Sequence, residues 1–341
     1  MSVVFNRKDF TLCIVPAPKG YPQSQTHCGI AYDNGRYYLT TSPYPNPNRP
    51  KWLRYLAAII WKLSFKRINI LYNGEDFENP MLYEAVEFSE NQIPIGFKLI
   101  EGSPLMEKPK DIYGAGSFCS DPDISIIDGK ICVLNRTTVR GNTEHKGETV
   151  VHLIKGNVEN ERFIKEKIEP LFREGYKSPC LTKIGNMYYY FCLDTNSYNT
   201  GEPCKALLVK ESPDMNHWSE AKIVRMDNGS YEPWHMSVFK YGGKLYSIIA
   251  CVKNGKGHRC WQMLGEFDET LSNLKIYQAP LTDYRSYRSS AMVRDDGEFI
   301  LYNTTVREIV KGGKSVDGRE VIMAHMPFKE LLFLQNQGEA K

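Results

Sequence analysis

Apolar and polar positions in this chain alternate in pairs of short runs, each pair joined by a glycine-bearing turn. The clearest pair is Ser120 to Leu134. Asp121-Pro122 opens it, Ile124, Ile126 and Ile127 form a β-branched run, Asp128-Gly129 makes the turn, and Ile131, Val133 and Leu134 return. Asp-Gly between two such runs is hairpin chemistry, because the tight turns that suit twisted strands need positive φ at their central residues. Four further stretches share the outline: residues 26–39 turning at Asp33-Asn34-Gly35, 177–191 at Gly185-Asn186, 234–248 at Gly242-Gly243, and 289–302 at Asp295-Asp296-Gly297.

The turn glycines at 129, 185, 243 and 297 stand 56, 58 and 54 residues apart, and Gly35 precedes them by one such interval plus an insertion. Several hairpins are followed by a second strand pair. Four strands per repeat of about 50 residues, without helices between them, predict propeller blades. The expected fold is therefore all-β: residues 1–341 as a single five-bladed β-propeller domain with a short helical insertion in the first blade. A β-sandwich with similar turns is the alternative, but a sandwich does not need a fixed interval between them. A strand at residues 10–16 lies outside the repeat register and is expected to complete a blade with the C-terminal residues, leaving no sheet edge open.

The insertion in the first repeat begins with the Pro-rich run Pro43 to Pro50 and continues as a helical segment at about 50–67. At 100° per residue, Lys51, Arg54, Ala58, Lys62 and Lys66 share one arc, with Leu53, Leu56, Ile60 and Leu63 opposite. Six cations and no acid lie between Arg49 and Arg67. The apolar run is shorter than the roughly 20 residues a bilayer span requires. Two readings stay open: a basic amphipathic helix on an anionic membrane surface, or a helix docked on the propeller or on a second subunit of a homo-oligomer.

With 341 residues, 42% hydrophobic and 24% charged, the chain has the make-up of a soluble globular protein. A net charge of +3 gives no basic field over this length, so no nucleic-acid partner is expected. The nine cysteines are dispersed without a C-x-x-C pair, which points to buried thiols in a reducing compartment and to no zinc motif. The first residues, Met-Ser-Val-Val-Phe-Asn-Arg-Lys-Asp, lack a charged region followed by an apolar one. The expected location is cytoplasmic, with a membrane-peripheral variant if residues 51–67 bind lipid.

Candidate chemistry follows from the blades. The innermost strand of each blade aims its first residues at the central channel, so equivalent positions form a ring. Counting eight residues back from each turn glycine reaches His27, Asp121, Lys177, His235 and Ser289. Four of the five are ionisable, which reads as a polar active-site or ligand ring.

These hairpin motifs resemble the five-bladed propeller glycosidases of glycoside hydrolase families 43 and 32. The resemblance implies one carboxylate on each of the first three blades: a base in an Asp-Pro context, a pKa-modulating Asp, and an acid Glu in a Glu-Gly-Pro context. This chain keeps only the second, as Ser120-Asp121-Pro122; His27 and Lys177-Ser178-Pro179 stand at the other two. Inversion needs a carboxyl pair about 6.5–9.5 Å apart, and His27 with Lys177 does not supply one. The fourth blade offers Tyr231-Glu232-Pro233-Trp234-His235 instead. The expected catalytic set is Asp121 as base or orienting carboxylate, with His235 or Glu232 as acid. Lys177 would hold Asp121 ionised, His27 would contact the ligand, Trp234 and Tyr287 would stack on a sugar, and Arg288 would bind a ligand carboxylate or phosphate. Blander roles are a turn-capping Asp121, a structural or metal-binding His235, and Glu232-Pro233 as a loop entering the blade. No cofactor is required, and a channel ion such as calcium is compatible with the ring.

The expected function is that of a carbohydrate-active enzyme, a glycoside hydrolase acting on an anionic or otherwise unusual glycan, the anionic choice resting on Lys177, Arg288 and His27, which are cationic or protonatable. A glycan-binding protein that has lost catalysis is one alternative, and a membrane-peripheral, sugar-transferring or glycan-modifying enzyme is another.

Overall fold

The computed structural model describes residues 3–339 except 20, 22–23, 44–50, 65–77, 115, 141–147, 174–175, 195–205, 228–230, 254–259, 285 and 312–313. The chain is mostly β. Among the described residues the strands fall into five four-stranded antiparallel meanders, the third and fourth of which are joined along their outer strands into one eight-stranded sheet by a short parallel pairing of Arg225 with Asn273 and Met226 with Leu274. The first comprises β2 (Gln25–Asp33), β3 (Arg36–Pro43), β4 (Met81–Phe88) and β5 (Pro94–Leu99). The second comprises β6 (Phe118–Ile127), β7 (Lys130–Thr138), β8 (Thr149–Glu159) and β9 (Arg162–Arg173). The third holds β10 (Lys177–Ile184), β11 (Met187–Leu193), β12 (Leu207–Ser212) and β13 (Lys222–Met226). The fourth holds β14 (Tyr231–Tyr241), β15 (Lys244–Lys253), β16 (Trp261–Phe267) and β17 (Asn273–Ile276). In the fifth, β18 (Arg288–Val293), β19 (Glu298–Lys311) and β20 (Lys314–Pro327) are completed by β1 (Thr11–Leu12), which pairs antiparallel with β20.

The first strands of the meanders neighbour one another in a closed circuit: β2 beside β6, β6 beside β10, β10 beside β14, β14 beside β18, and β18 beside β2. Each sheet therefore packs face to face with two others, and five apolar clusters fill the spaces between them. Ile30, Leu39, Tyr83, Tyr302 and Met323 pack between the fifth and first sheets, and Cys180, Phe191, Met236, Ile249 and Phe267 between the third and fourth. Burial on both faces explains why inner strands read as continuous apolar runs, as in Ile248 to Val252, where every residue is buried. Eight cysteines are described, and all are free and buried; Cys204 lies outside the described residues. Helix α1 (Lys51–Leu63) lies between β3 and β4; Pro50 and residues 65–67 of the expected segment are outside the described residues. Two further helices are α2 (Pro109–Tyr113) and α3 (Phe328–Glu339), whose Phe328 ring packs on Phe239, Tyr246 and Phe299.

A buried histidine gives the fold an acid-sensitive point. His152, on β8, accepts or donates at Nε2 with the Tyr113 hydroxyl at 2.8 Å, and its Nδ1 lies 3.4 Å from the Thr137 hydroxyl. Burial, with Arg173 acting in the same direction, pushes its pKa down from 6.5 to about 4. The folded state thus favours the neutral ring. This contribution is complete above pH 6.5 and disappears as the pH falls toward 4, where the unfolded chain takes up the proton first. Urea unfolding of wild type and His152→Asn should show a gap that shrinks by up to about 3 kcal/mol between pH 7.5 and pH 4. A gap that does not change with pH would show that the ring is not held neutral.

Candidate functional site

The same backbone irregularity occurs at the start of four of the five innermost strands. The pairing register shifts between Thr26 and Gly29, between Ser120 and Asp123, between Lys177 and Cys180, and between Pro233 and His235. A β-bulge places two residues opposite one and re-aims a side chain, and bulges cluster beside functional sites. His27, Asp121 and Ser178 all have left-handed backbone, with φ of 54°, 53° and 50°. For a residue with a Cβ this conformation costs on the order of 1–2 kcal/mol. Three repetitions at equivalent positions show that the fold sustains the strain in order to turn these side chains inward.

The register at the strand starts corrects the expected ring at two positions. The third strand contributes Ser178, because its turn lies one residue closer than in the first two hairpins. Lys177 points aside, with its ammonium 4.0 Å above the Trp234 ring. In the fifth strand, which has no register shift, Arg288 is the inward residue. It is fully buried. Its guanidinium donates to the Pro122 carbonyl at 2.8 Å, to Asp123 Oδ1 at 3.0 Å and to the Met236 carbonyl at 3.2 Å. Arg288 is thus a crossbar joining β18 to β6 and β14. With Arg288 so engaged and Lys177 stacked on Trp234, the expectation of an anionic glycan loses two of the three groups it rested on.

His27, Asp121 and His235 converge, and all three are buried. Asp121 Oδ1 lies 3.3 Å from His27 Nδ1 and 3.8 Å from His235 Nδ1, while Oδ2 lies 3.0 Å from Arg136 Nε. The Ser178 hydroxyl is 2.9 Å from His235 Nδ1, and the Ser178 amide donates to Asp121 Oδ2 at 3.5 Å. The two imidazoles meet edge to face at 5.2 Å, and the Tyr287 ring packs against both, at 5.1 Å from His27 and 4.7 Å from His235. One nitrogen of each imidazole and one carboxylate oxygen lie within 4.8 Å of one another, so the group could hold a metal ion. His235 Nε2 is buried without a hydrogen-bond partner.

Electrostatics separates the roles of these groups. Burial opposes ionisation of Asp121, but Arg136, His27, His235 and Arg288 together outweigh it and hold the carboxyl well below the usual range. For His235, burial is the largest influence; His27, Arg288 and Lys177 add to it against Asp121, and the pKa lies well below 6.5. His235 is therefore neutral at pH 7, which suits a ligand nitrogen and not the general acid expected of it. Glu232, the other expected acid, is half-buried on β14 opposite Val252 and outside the convergent group. Trp234 and Tyr287, half-buried, sit at the edge of the site.

Two members of the site escaped the sequence reading. Ser178 is found by aligning the prolines of Asp121-Pro122 and Ser178-Pro179 instead of counting from the turn. Arg136 lies on β7 opposite Ser120, and its only signal is a cation ending the apolar run Ile131 to Leu134.

With this geometry in view, the chain was compared with known proteins. No protein-family model matches it, and no curated protein does. Solved structures do match. The fold matches GH43 structures. A GH43 β-xylosidase/α-arabinofuranosidase from a compost microbial metagenome, in complex with xylotriose and in a calcium-free form, shares 15% identity at a TM-score of 0.58 over 89% of this chain and 91% of that one. A xylan β-1,4-xylosidase from Bacillus halodurans C-125 gives 14% identity and a TM-score of 0.61, over 89% of this chain and 53% of that one. An N-acetylgalactosamine deacetylase from F. plautii, in complex with blood group B trisaccharide, gives 13% identity and a TM-score of 0.61 over 92% of each chain. At these identities the likeness is one of fold, and the GH43-like frame leaves the chemistry to the residues described above.

Proposed function

We propose that this chain is a carbohydrate-active hydrolase in which His27, Asp121 and His235 hold a transition-metal ion at the centre of a five-bladed β-propeller. The observation that carries this reading is the convergence of two imidazole nitrogens and one carboxylate oxygen within 4.8 Å. The closed circuit of five meanders supports the propeller, and the oligosaccharide complexes of proteins with this fold support the glycan.

The donor set selects the ion. Calcium takes six to eight oxygen ligands, whereas two imidazoles and a carboxylate suit zinc, iron or manganese and leave positions open. When bound, such an ion supplies Lewis acidity, polarising a carbonyl and bringing the pKa of a water toward neutrality. The residues of the chain do the rest. Arg136 keeps Asp121 anionic. Ser178, whose hydroxyl lies 2.9 Å from His235 Nδ1, would orient the ring and, by accepting from Nδ1–H, would leave Nε2 as the ligand atom, a supporting role typical of ligand histidines. Trp234 and Tyr287 offer aromatic faces to a sugar ring.

This arrangement fits removal of an acyl group from a glycan better than cleavage of a glycosidic bond, because the convergent group holds one carboxylate and inversion or retention needs two. Glycoside hydrolysis is the second reading, favoured by the GH43 frame with Glu232 as acid. Incubation with acetylated oligosaccharides in the presence of zinc or manganese should release acetate without new reducing ends. New reducing ends that persist in chelator would establish the second reading instead, and saturable glycan binding with no product would point to a binding protein.

A further inference from the structure

We propose that helix α1 seats the site-bearing face of the ring on an anionic lipid surface. The observation is a stripe of exposed apolar side chains: Trp52, Tyr55 and Leu63 are 65%, 74% and 75% exposed, and Leu56 and Ile59 are exposed with them. At 100° per residue these five fall within an arc of about 100°. The stripe is rotated from the face expected from sequence, since it runs through Trp52, Tyr55 and Ile59, while Ile60 is half-buried. A continuous apolar stripe left in water marks a surface for a partner.

Charge identifies the partner. The segment from Arg49 to Arg67 carries six cations and no acid. On the helical wheel the exposed Lys62 borders the Tyr55 edge of the stripe. Apolar residues including Trp and Tyr, bordered by a lysine in a segment of cationic sequence, form the pattern of a helix lying in the headgroup layer, with aromatic rings at the interface and cations toward lipid phosphates. A second copy of the chain is a poor occupant, because pairing two such helices would bring two wholly cationic segments together. Thirteen residues make a helix of about 20 Å, too short to span a bilayer. Among the described residues no helix is long and apolar enough to cross a membrane.

Topology gives the contact a direction. β3 ends at Ser42 and Pro43, which pair with Thr26 and Gln25, next to His27. β4 starts at Met81, opposite Thr41. Both ends of the connection that carries α1 therefore leave the first sheet at the edge where His27 enters the site. A lipid-bound α1 would keep that edge close to the membrane. Resting on the function proposed above, the substrate class becomes a glycan carried by a membrane lipid or membrane protein.

The test is co-sedimentation of the full chain with vesicles of about 30 mol% phosphatidylserine in phosphatidylcholine, against phosphatidylcholine alone. Partition should be on the order of tenfold stronger for the anionic vesicles and should weaken in high salt. The variant Trp52→Ser/Tyr55→Ser/Leu63→Ser should lose it while keeping the wild-type melting temperature, metal content and activity on soluble substrate. Equal sedimentation of variant and wild type would overturn the proposal, as would a dimer in light scattering that the variant abolishes. The lipid readout needs neither metal nor turnover, so its failure would leave the proposed hydrolase intact, and failure of the hydrolase would leave the lipid surface intact.

Discussion

Asp121→Asn is expected to abolish metal binding at the proposed centre and, with it, to lower the proposed hydrolase activity by at least about a hundredfold. In the folded protein Asp121 is the charge that two imidazoles and two guanidiniums surround. Replacing the carboxylate by an amide removes the one anionic ligand and leaves Arg136, whose Nε lies 3.0 Å from Asp121 Oδ2, facing a cation site without that partner. Elemental analysis of protein dialysed against buffered zinc or manganese should find close to one ion per chain in wild type and almost none in Asp121→Asn, His27→Ala or His235→Ala. Ser178→Ala, which removes only the group that orients His235, should weaken metal affinity by about 10- to 100-fold, as outer-shell changes do. Wild type that binds no ion at micromolar metal, or Asp121→Asn that binds as wild type does, would sink the metal centre.

Arg288→Met is expected to destabilise the fold by about 3–5 kcal/mol, because removing one partner of a buried ion pair leaves the other as an uncompensated charge. The pair is Arg288 with Asp123, 3.0 Å apart, with Arg288 fully buried and Asp123 nearly so. Two backbone carbonyls, of Pro122 and Met236, would also lose their donor. In thermal melts the loss should read as roughly 5–10 °C. Replacing both partners, as Arg288→Met/Asp123→Leu, should recover much of it, since a buried pair exchanged for apolar side chains is often neutral. A single variant within about 1 kcal/mol of wild type would mean that the crossbar carries little of the ring's stability.

The limits of sequence reading follow from the range of each signal. Hairpins such as Ile124 to Leu134 were legible because turn residues and apolar runs act over ten residues or fewer. The interval between Gly129, Gly185, Gly243 and Gly297 then disclosed the repeat. What no local pattern carries is the parity of a strand. Whether Ser289 or Arg288 faces inward depends on one residue of register, and the third strand differs by one for the same reason, exchanging Lys177 for Ser178. The bulges that set this register are visible only as departures from pairing. Arg136 reaches Asp121 from the neighbouring strand, a contact that depends on how β6 and β7 align. His27 and His235 had been assigned to ligand contact and proton donation; their convergence on one carboxylate comes from closing the circuit, a property of the whole chain.

The pairing of β1 with β20 has a consequence for synthesis on the ribosome. The strand Thr11–Leu12 must wait until Lys314–Pro327 has been made before the fifth sheet can be completed. Until then the nascent chain holds meanders with no neighbour to close them, and the unpaired edge of the newest one is the place where chaperones or other nascent chains would act.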